Sequence, residues 1–554
     1  ARSTLITGCY ATSLGTQRLR STFALPGRIK GFPEFLRNAG WFTSNNVKTD
    51  YNIANEAEFI TATWDRNSAQ AHWRQREGGQ PFFSVFNLMT THQSRANVWS
   101  WEEFEKEIGG RLRPELRHDP ANAPVWPFYP DTPTVRRTIA RYYDCITLMD
   151  QQVGALLRQL DEDGLADDTI VFFYSDHGMG MPRGKRLLHD SGLHVPLMIR
   201  FPEKWSHLAP AKAGETTDRL VSFVDFAPTV LSLLELEIPD YMQGLAFLGP
   251  RQRPARQFVY GARDRVDEAF DVARSIRDGR YLLIRNYQRH LPWMQPERYS
   301  DNAEMRRELK QLAAAKQLNG DAAVYAAAPR PAIEFYDTQN DPHQVHNLAD
   351  DPAHAQRIRR MSNALARWQR ESIDLGFFTE PDLLARLGSR TPWEFGEQDV
   401  EQLSDRVQRA GATAAGGNAA AVMRLLEDGD PAVRYWGVIG LRTSALDESA
   451  KNALRRAVGD DSAVVRIEAA AALAYIGETE KNLSLLAREL RAPTVEVRLH
   501  AMRAIELLGL KAAPVRDEIA RIQAEAIRRL DEHPCWLFVQ FSAEAALENL
   551  ASAR

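Results

Sequence analysis

Several short stretches of this chain carry side chains suited to handling a small oxyanion. The densest is VFFYSDHGMGMPRGK (171–185), in which an apolar run ends in Asp176-His177-Gly178 and Lys185 follows nine residues after Asp176. A carboxylate oxygen suits a hard divalent cation such as calcium or magnesium, and a neighbouring imidazole extends the shell. Lys48 and His92 each stand just after another apolar or aromatic stretch. A site for a tetrahedral oxyanion needs such cations to offset negative charge and to donate to the non-bridging oxygens. Taken singly, an Asp-His pair is ordinarily a turn or a cap, and a lysine is ordinarily a solvated surface group. Their shared position relative to apolar runs is what brings them into one reading.

Those runs, PFFSVFNLM (81–89), TIVFFYSDHG (169–178) and VPLMIRFP (195–202), are nearly all apolar. Strands buried on both faces of a mostly parallel sheet have that character. Between the first two, residues 135–164 repeat apolar side chains at helical spacing and end in Gly164, which predicts a helix closed by a glycine C-cap. Strand, helix and strand in that order predict an α/β domain with helices flanking a mostly parallel central sheet, and Asp176-His177 at its C-terminal edge, where such folds place ligands. Residues 267–287 read as a hairpin near a sheet edge. Trp64, His72, Trp73 and Arg74 fit either a sugar-lining loop or a loop anchored by buried tryptophans.

After residue 410 the texture changes to Ala, Leu, Arg and Glu. DPAVRYWGVIGLR (430–442), DSAVVRIEAAAALAYIG (461–477) and PTVEVRLHAMRAIELLG (493–509) place Arg434, Arg466 and Arg498 at a constant spacing of 32, as they do Leu441, Leu473 and Ile505. A fixed period of this length predicts stacked helical pairs resembling short HEAT-type repeats. The organisation read from sequence is therefore 1–375 as a catalytic domain with a small α+β C-terminal subdomain, 376–415 as a linker, and 416–554 as an all-α repeat extension.

A chain of 554 residues is long enough for more than one domain. With 69 basic and 73 acidic side chains the net charge is −4, which argues against a nucleic-acid-binding surface. No apolar run is long enough to span a bilayer. Cys9, Cys145 and Cys535 are odd in number and far apart, and read as buried small hydrophobes rather than a disulfide framework.

In order along residues 1–375, the motifs resemble a type I sulfatase of the alkaline phosphatase superfamily. RSTLITG (2–8) resembles the tail of that family's Cys/Ser-x-Pro-Ser/Ala-Arg signature. FPEFLRNAGWFTSNNVKTDYN (32–52), FNLMTTHQSR (86–95) and the 169–200 block resemble its next landmarks, and 224–244 and 334–351 resemble the two later ones. The resemblance implies that Arg2 holds the nucleophile and its metal environment. It likewise implies that Lys48 and Lys185 contact sulfate, that His92 lies near the leaving-group oxygen, and that Asp176 and His177 supply half the shell of a divalent metal, calcium ahead of magnesium. Where the family carries a histidine two residues after the lysine, this chain has Asp50. Counting back from Arg2, the resemblance places the nucleophile, a residue converted to formylglycine, three residues before Ala1. The remaining metal-binding aspartates also fall upstream, so residues 1–554 alone are expected to be inactive. The implied substrate is a sulfated carbohydrate, as an O-ester or an N-sulfamate, and the family expectation for location is periplasmic or secreted. Two alternatives stay open: a phosphonate or phosphodiester hydrolase of the same superfamily, and a non-catalytic protein that engages a protein partner through its helical repeats.

Overall fold

The computed structural model describes residues 1–444 and 446–551. Three strands, β1 (Phe42–Asn46), β2 (Arg66–Asn67) and β3 (Phe82–Phe86), form an all-parallel sheet in the order β2-β1-β3. The β1–β3 register runs from Phe42 opposite Phe82 to Asn46 opposite Phe86, so both strands end at the same edge. That edge delivers Asn45, Asn46 and Asn87 side by side. In β1 the side chains after Phe42 are polar yet buried, Thr43, Ser44 and Asn45 among them.

The run at 169–178 forms β4 (Val171–Tyr174) and that at 195–202 forms β5 (Leu197–Arg200). These two pair antiparallel in a sheet of their own, with Val171 opposite Arg200, rather than joining a parallel array. The connection explains the difference. A parallel neighbour needs a crossover helix, and residues 175–196 hold only a four-residue helix at Asp190–Leu193. Nor is β5 buried on both faces: Met198 is 59% exposed and alternates with half-buried Leu197 and Ile199. A four-stranded antiparallel sheet follows, β6 (Val259–Arg263), β7 (Ala273–Arg277), β8 (Tyr281–Asn286) and β9 (Ile333–Asp337), in sequential order. The expected hairpin at 267–287 is its central pair, with Ala273 opposite Asn286.

Helix α1 (Arg2–Thr7) begins the chain, and α2 (Pro133–Glu162) is the long helix expected between β3 and β4. Thr132 caps α2 by accepting from the Val135 N–H at 3.2 Å, and Gly164 beyond its end has a φ of +66°. The helix is amphipathic: Val135, Ile139, Cys145 and Leu148 lie inward.

Residues 376–415, read from sequence as a linker, are helical. They contain α3 (Glu380–Leu387) and most of α4 (Pro392–Gly416), which opens with a Thr391/Glu394 capping box and is followed by Gly417 at a φ of +72°. The Ala-rich composition that suggested a linker packs instead. Val407, Ala410, Ala414 and Ala415 share a core with Phe377, Tyr287 and Trp436, and small side chains there let helices approach closely. The repeats continue as α5 (Ala419–Leu425), α6 (Pro431–Leu441), α7 (Glu448–Ala457), α8 (Ala463–Tyr475), α9 (Thr479–Glu489), α10 (Val495–Leu507), α11 (Arg516–Arg528) and α12 (Cys535–Ala551). The periodic arginines have a common task. Arg434 donates to the carbonyls of Asp428 and Gly429, Arg466 to those of Asp460 and Asp461, and Arg498 to that of Ala492. Each also pairs with an acid further along: Asp460, Glu489 and Glu525 respectively. The 32-residue period is thus a ladder of turn carbonyls held by guanidinium groups.

The repeat stack is fused to the rest of the molecule. Trp436 Nε1 donates to the Phe377 carbonyl at 3.1 Å, Gln288 Nε2 to Tyr435 Oη at 2.9 Å, and Arg503 Nη2 to the Pro296 carbonyl at 2.8 Å. Among the described residues no helix is long and apolar enough to cross a membrane.

Candidate active site

The residues singled out from sequence gather at the C-terminal ends of β1, β3 and β4. Lys48 lies two residues beyond β1, Asn87 directly beyond β3, His92 after the turn that follows, and Asp176-His177 just past β4. Arg2, at the start of α1, joins them. Its Nε donates to the Thr49 carbonyl at 2.6 Å, Nη2 to the Lys48 carbonyl at 2.5 Å and to Asn87 Oδ1 at 2.8 Å, and Nη1 lies 3.3 Å from Asp176 Oδ2. One planar guanidinium therefore fixes the β1 loop, the end of β3 and the end of β4 relative to each other. Asp50 has a φ of +50°, which turns the loop back so that its Oδ2 sits 2.5 Å from Lys48 Nζ. Asn87 also donates to Asn45 Oδ1 at 2.8 Å and to the Asn46 carbonyl at 3.1 Å, tying the two strand ends together.

The cluster is dominated by positive charge. Burial opposes ionisation of Asp176, but the charges of His177, Arg2 and Lys185 outweigh it and hold the carboxyl down to about 2. Burial, reinforced by Lys185, pushes His177 down to about 4 even though Asp176 pulls the other way. His92 is also pushed down to about 4, by burial and then by Lys185, Lys48, Arg95 and His177. Lys185 itself falls to about 8 through burial, with Arg186 and Lys48 adding to the effect against Asp176 and Asp267. Near neutral pH the site thus holds ionised Asp176, neutral imidazoles and crowded cations, a field that favours a bound anion.

Asp176 Oδ1 and His177 Nε2 are 3.5 Å apart, a separation compatible with two ligands of one divalent cation. A hard carboxylate oxygen and an imidazole are donor types that such a cation accepts. His177 Nδ1 is 2.8 Å from the Gly178 carbonyl, which fixes the proton on Nδ1 and leaves Nε2 with its lone pair toward Asp176. The donor set fits a metal, although it supplies only part of a full shell.

His92 is oriented in the opposite sense. Its Nδ1 accepts the Ser94 N–H at 3.3 Å and lies 2.8 Å from Ser94 Oγ, so Nε2 carries the proton of the neutral ring. Lys185 borders a polar cavity walled by Gln93, Asn97, Arg186, Arg263 and Glu297. Arg186, adjacent to Lys185, is clamped by Asp267 at 3.0 Å and by Glu297, which holds the lysine's segment in place.

Two of the aromatic residues weighed for a sugar site are core residues. Trp64 is 5% exposed, stacks on Phe83 and donates to Tyr51 Oη; Trp73 is 4% exposed and donates to Asp163 Oδ2. Arg74 is spent on the same Asp163 at 2.7 Å. They anchor the loop. An open cleft lies instead beside Asn87, lined by Met89, Arg95, Trp99, Arg111 and Gln152. Asn87 is the site member that the sequence reading missed, whereas Asp50 stood out as a departure from the family pattern. The available signal for Asn87 was a polar residue directly after the apolar run at 81–86. Cys9 and Cys145 are buried thiols, as expected, and burial pushes both up to about 12.

Polar groups from three strand ends are thus gathered on an arginine at the first helix, in a fold that continues with an antiparallel sheet and a helical stack. The sulfatase family model matches residues 2–236, the model for the C-terminal region of N-sulphoglucosamine sulphohydrolase matches 179–320, and HEAT repeats match 419–506. An ulvan-active sulfatase of Formosa agariphila is 35% identical over 429 residues, 71% of this chain and 70% of that protein. The chain belongs to the sulfatase family. Human N-sulphoglucosamine sulphohydrolase is 28% identical over 320 residues, 54% of this chain and 62% of its own length, so the chain spans less than two thirds of that relative. Among solved structures, the phosphonate monoester hydrolase of Agrobacterium radiobacter aligns at 18% identity over 69% of this chain and 88% of that one, with a TM-score of 0.45.

Proposed function

We propose that the protein hydrolyses sulfate from a sulfated carbohydrate, as an O-ester or an N-sulfamate, with Arg2, Lys48, His92 and Lys185 as site residues and Asp176 and His177 as metal ligands. The observation that carries this reading is that one arginine holds both the Lys48 loop and Asp176, with His177 and Lys185 near enough to shift that carboxyl, in a member of a family whose matched relatives include an ulvan-active sulfatase and an N-sulphoglucosamine sulphohydrolase. A divalent cation held by Asp176 and His177 would supply Lewis-acid polarisation, and a formylglycine of the family's kind would supply the nucleophile.

The chain's own residues do the rest. Lys48 and Lys185 neutralise the sulfate and donate to its non-bridging oxygens. Arg2 keeps the Lys48 loop and Asp176 in register, so both act on one anion. His92 is neutral in the free site because it is buried and because Lys185 and Lys48 press on it. An anion seated between those lysines cancels that pressure and raises the affinity of His92 for a proton, which it then delivers to the leaving oxygen or nitrogen. The cleft beyond Asn87, with Arg95, Arg111 and Trp99, suits an acidic sugar chain, whose carboxylates or sulfates pair with guanidinium groups and whose ring faces lie on indole.

The test is sulfate release, followed by ion chromatography, from O-sulfated and N-sulfated oligosaccharides beside matched phosphate and phosphonate esters. The protein is expected to release sulfate from the sulfated oligosaccharides and to leave the phosphorus esters largely intact. Preferential cleavage of the phosphorus esters would move the assignment to that branch of the superfamily. Absence of both activities, with binding of a protein partner by the repeats, would mark a non-catalytic role.

A further inference from the structure

We infer that Glu496, His533 and Cys535 form a zinc site that fastens the start of the last helix of the repeat stack, α12, to α10. Nothing in the sulfatase chemistry uses these residues, and the inference does not depend on it. Their ligating atoms, a carboxylate oxygen, an imidazole nitrogen and the Cys535 Sγ, all lie within 4.8 Å of one another. His533 Nε2 is already 3.3 Å from Glu496 Oε1. Ligands on a tetrahedral zinc with bonds of about 2.0–2.3 Å are separated by about 3.5 Å. Separations of up to 4.8 Å must therefore shorten by at most about 1.3 Å for the site to close.

The repeat itself supplies an independent argument. Glu496 stands two residues before Arg498; the corresponding residues before Arg434 and Arg466 are Ala432 and Val464. All three positions are buried, at 3% for Ala432, 3% for Val464 and 8% for Glu496. The repeat thus asks for a small apolar side chain and here holds a carboxylate, aimed at a histidine and a cysteine. A buried carboxylate without a strong partner is costly, and burial pushes Glu496 upward. Cys535, fully buried and first in a 17-residue helix, carries a thiol that burial raises further, so it is inert as a thiol. A cation resolves both. Zn2+ with one thiolate, one carboxylate and one neutral imidazole is a charge-neutral unit that can be buried, and the helix start favours the thiolate. His533 is 25% exposed in its side chain and opens the site to solvent for metal entry and for a water as fourth ligand. The thiolate and imidazole select zinc over the hard cations of the catalytic site. Coordination through Nε2 moves the ring proton to Nδ1 and gives up the 3.2 Å contact from the Cys535 N–H. Phe538, one turn into α12, lies under the Arg265 guanidinium at 5.0 Å, and Arg265 pairs with Glu380 of α3. Metal binding here would fix the end of the stack against the catalytic part.

The test is titration of the metal-free, full-length, untagged protein with Co2+. The expected result is a thiolate-to-cobalt charge-transfer band with visible bands of four-coordinate intensity, saturating at one ion per chain and bleached by Zn2+. Cys535→Ser is expected to abolish the charge-transfer band. Glu496→Val, which installs the residue the neighbouring repeat carries and so leaves the packing intact, is expected to weaken cobalt binding at least tenfold and to remove the rise in Tm that Zn2+ gives the wild type. A wild-type protein of native circular dichroism that shows no thiolate band overturns the proposal, as does a band that survives Cys535→Ser or a Zn2+-dependent Tm that is unchanged in Glu496→Val. Ions held at Asp176 and His177 produce no thiolate band, so the two sites are told apart in one spectrum.

Discussion

Arg2 Nη1 lies 3.3 Å from Asp176 Oδ2, across 174 residues of chain, while the other nitrogens of the same guanidinium hold the Lys48 and Thr49 carbonyls and Asn87. A single side chain thus couples the candidate metal ligand to the loop that carries a candidate sulfate-binding lysine.

That coupling depends on a fork rather than on charge alone. Arg2→Lys keeps the cation but cannot reach four acceptors, so kcat/KM for sulfate release is expected to fall by about 100-fold or more, nearly as far as in Arg2→Ala. If the lysine variant retains most of the activity, the role of Arg2 is electrostatic and the positioning argument is wrong.

Asp50 pairs with Lys48, the lysine proposed to bind sulfate. Its carboxylate is 63% exposed, so solvent screens the pair to under about 1 kcal/mol. Asp50→Asn is therefore expected to tighten binding of inorganic sulfate by roughly 3–5-fold at low salt, measured by calorimetry. Weaker binding would show that Asp50 holds Lys48 in its working position instead.

Glu334 is expected to set part of the acid limit of the fold. Burial opposes its charge, but donation from His189, Asn286 and Tyr336 prevails and holds it down to about 2; Trp293 Nε1 donates as well, at 3.0 Å. Because its folded value is depressed, the stabilisation is complete above about 4.5 and is lost as pH falls through about 2. His189, pushed down to about 4 mainly by burial, adds a loss of the same sign between about 6.5 and 4. Urea unfolding against pH should show both steps, and Glu334→Gln should remove the lower one while costing about 1–3 kcal/mol at neutral pH.

Trp436 is fully buried where the repeats meet the catalytic part, against Phe377 and Tyr287. Trp436→Ala is expected to cost about 3–5 kcal/mol. Since one core spans both parts, the catalytic part and the repeats should lose stability together in calorimetry. A repeat transition that moves alone would show the two to be energetically separate.

The outline of the chain was legible where a pattern is local. The apolar run before Asp176, the helical spacing of 135–164 with Gly164, the hairpin at 267–287 and the 32-residue arginine period each reflect a backbone geometry that repeats within a few residues or within one repeat. The strand pairing was not. An apolar run of four or five residues reads alike in parallel and antiparallel sheets, and only the short helix between β4 and β5 shows that the chain returns on itself. Residues 376–415 misled for a related reason: Ala and Gly suit both a linker and a tightly packed helix, and it is Phe377, Tyr287 and Trp436, distant in sequence, that make the second choice.

By itself, then, the sequence determined which residue types stand at strand ends and which positions recur, because periodicity and propensity act over short range. Only the tertiary structure decided that Arg2 meets Asp176, that Asp50 pairs with Lys48, that Trp64 and Trp73 are core, and that Glu496 faces His533 and Cys535. Those contacts join residues far apart in the chain. Their energies depend on burial and on neighbouring charge, which exist only once the chain has closed around them.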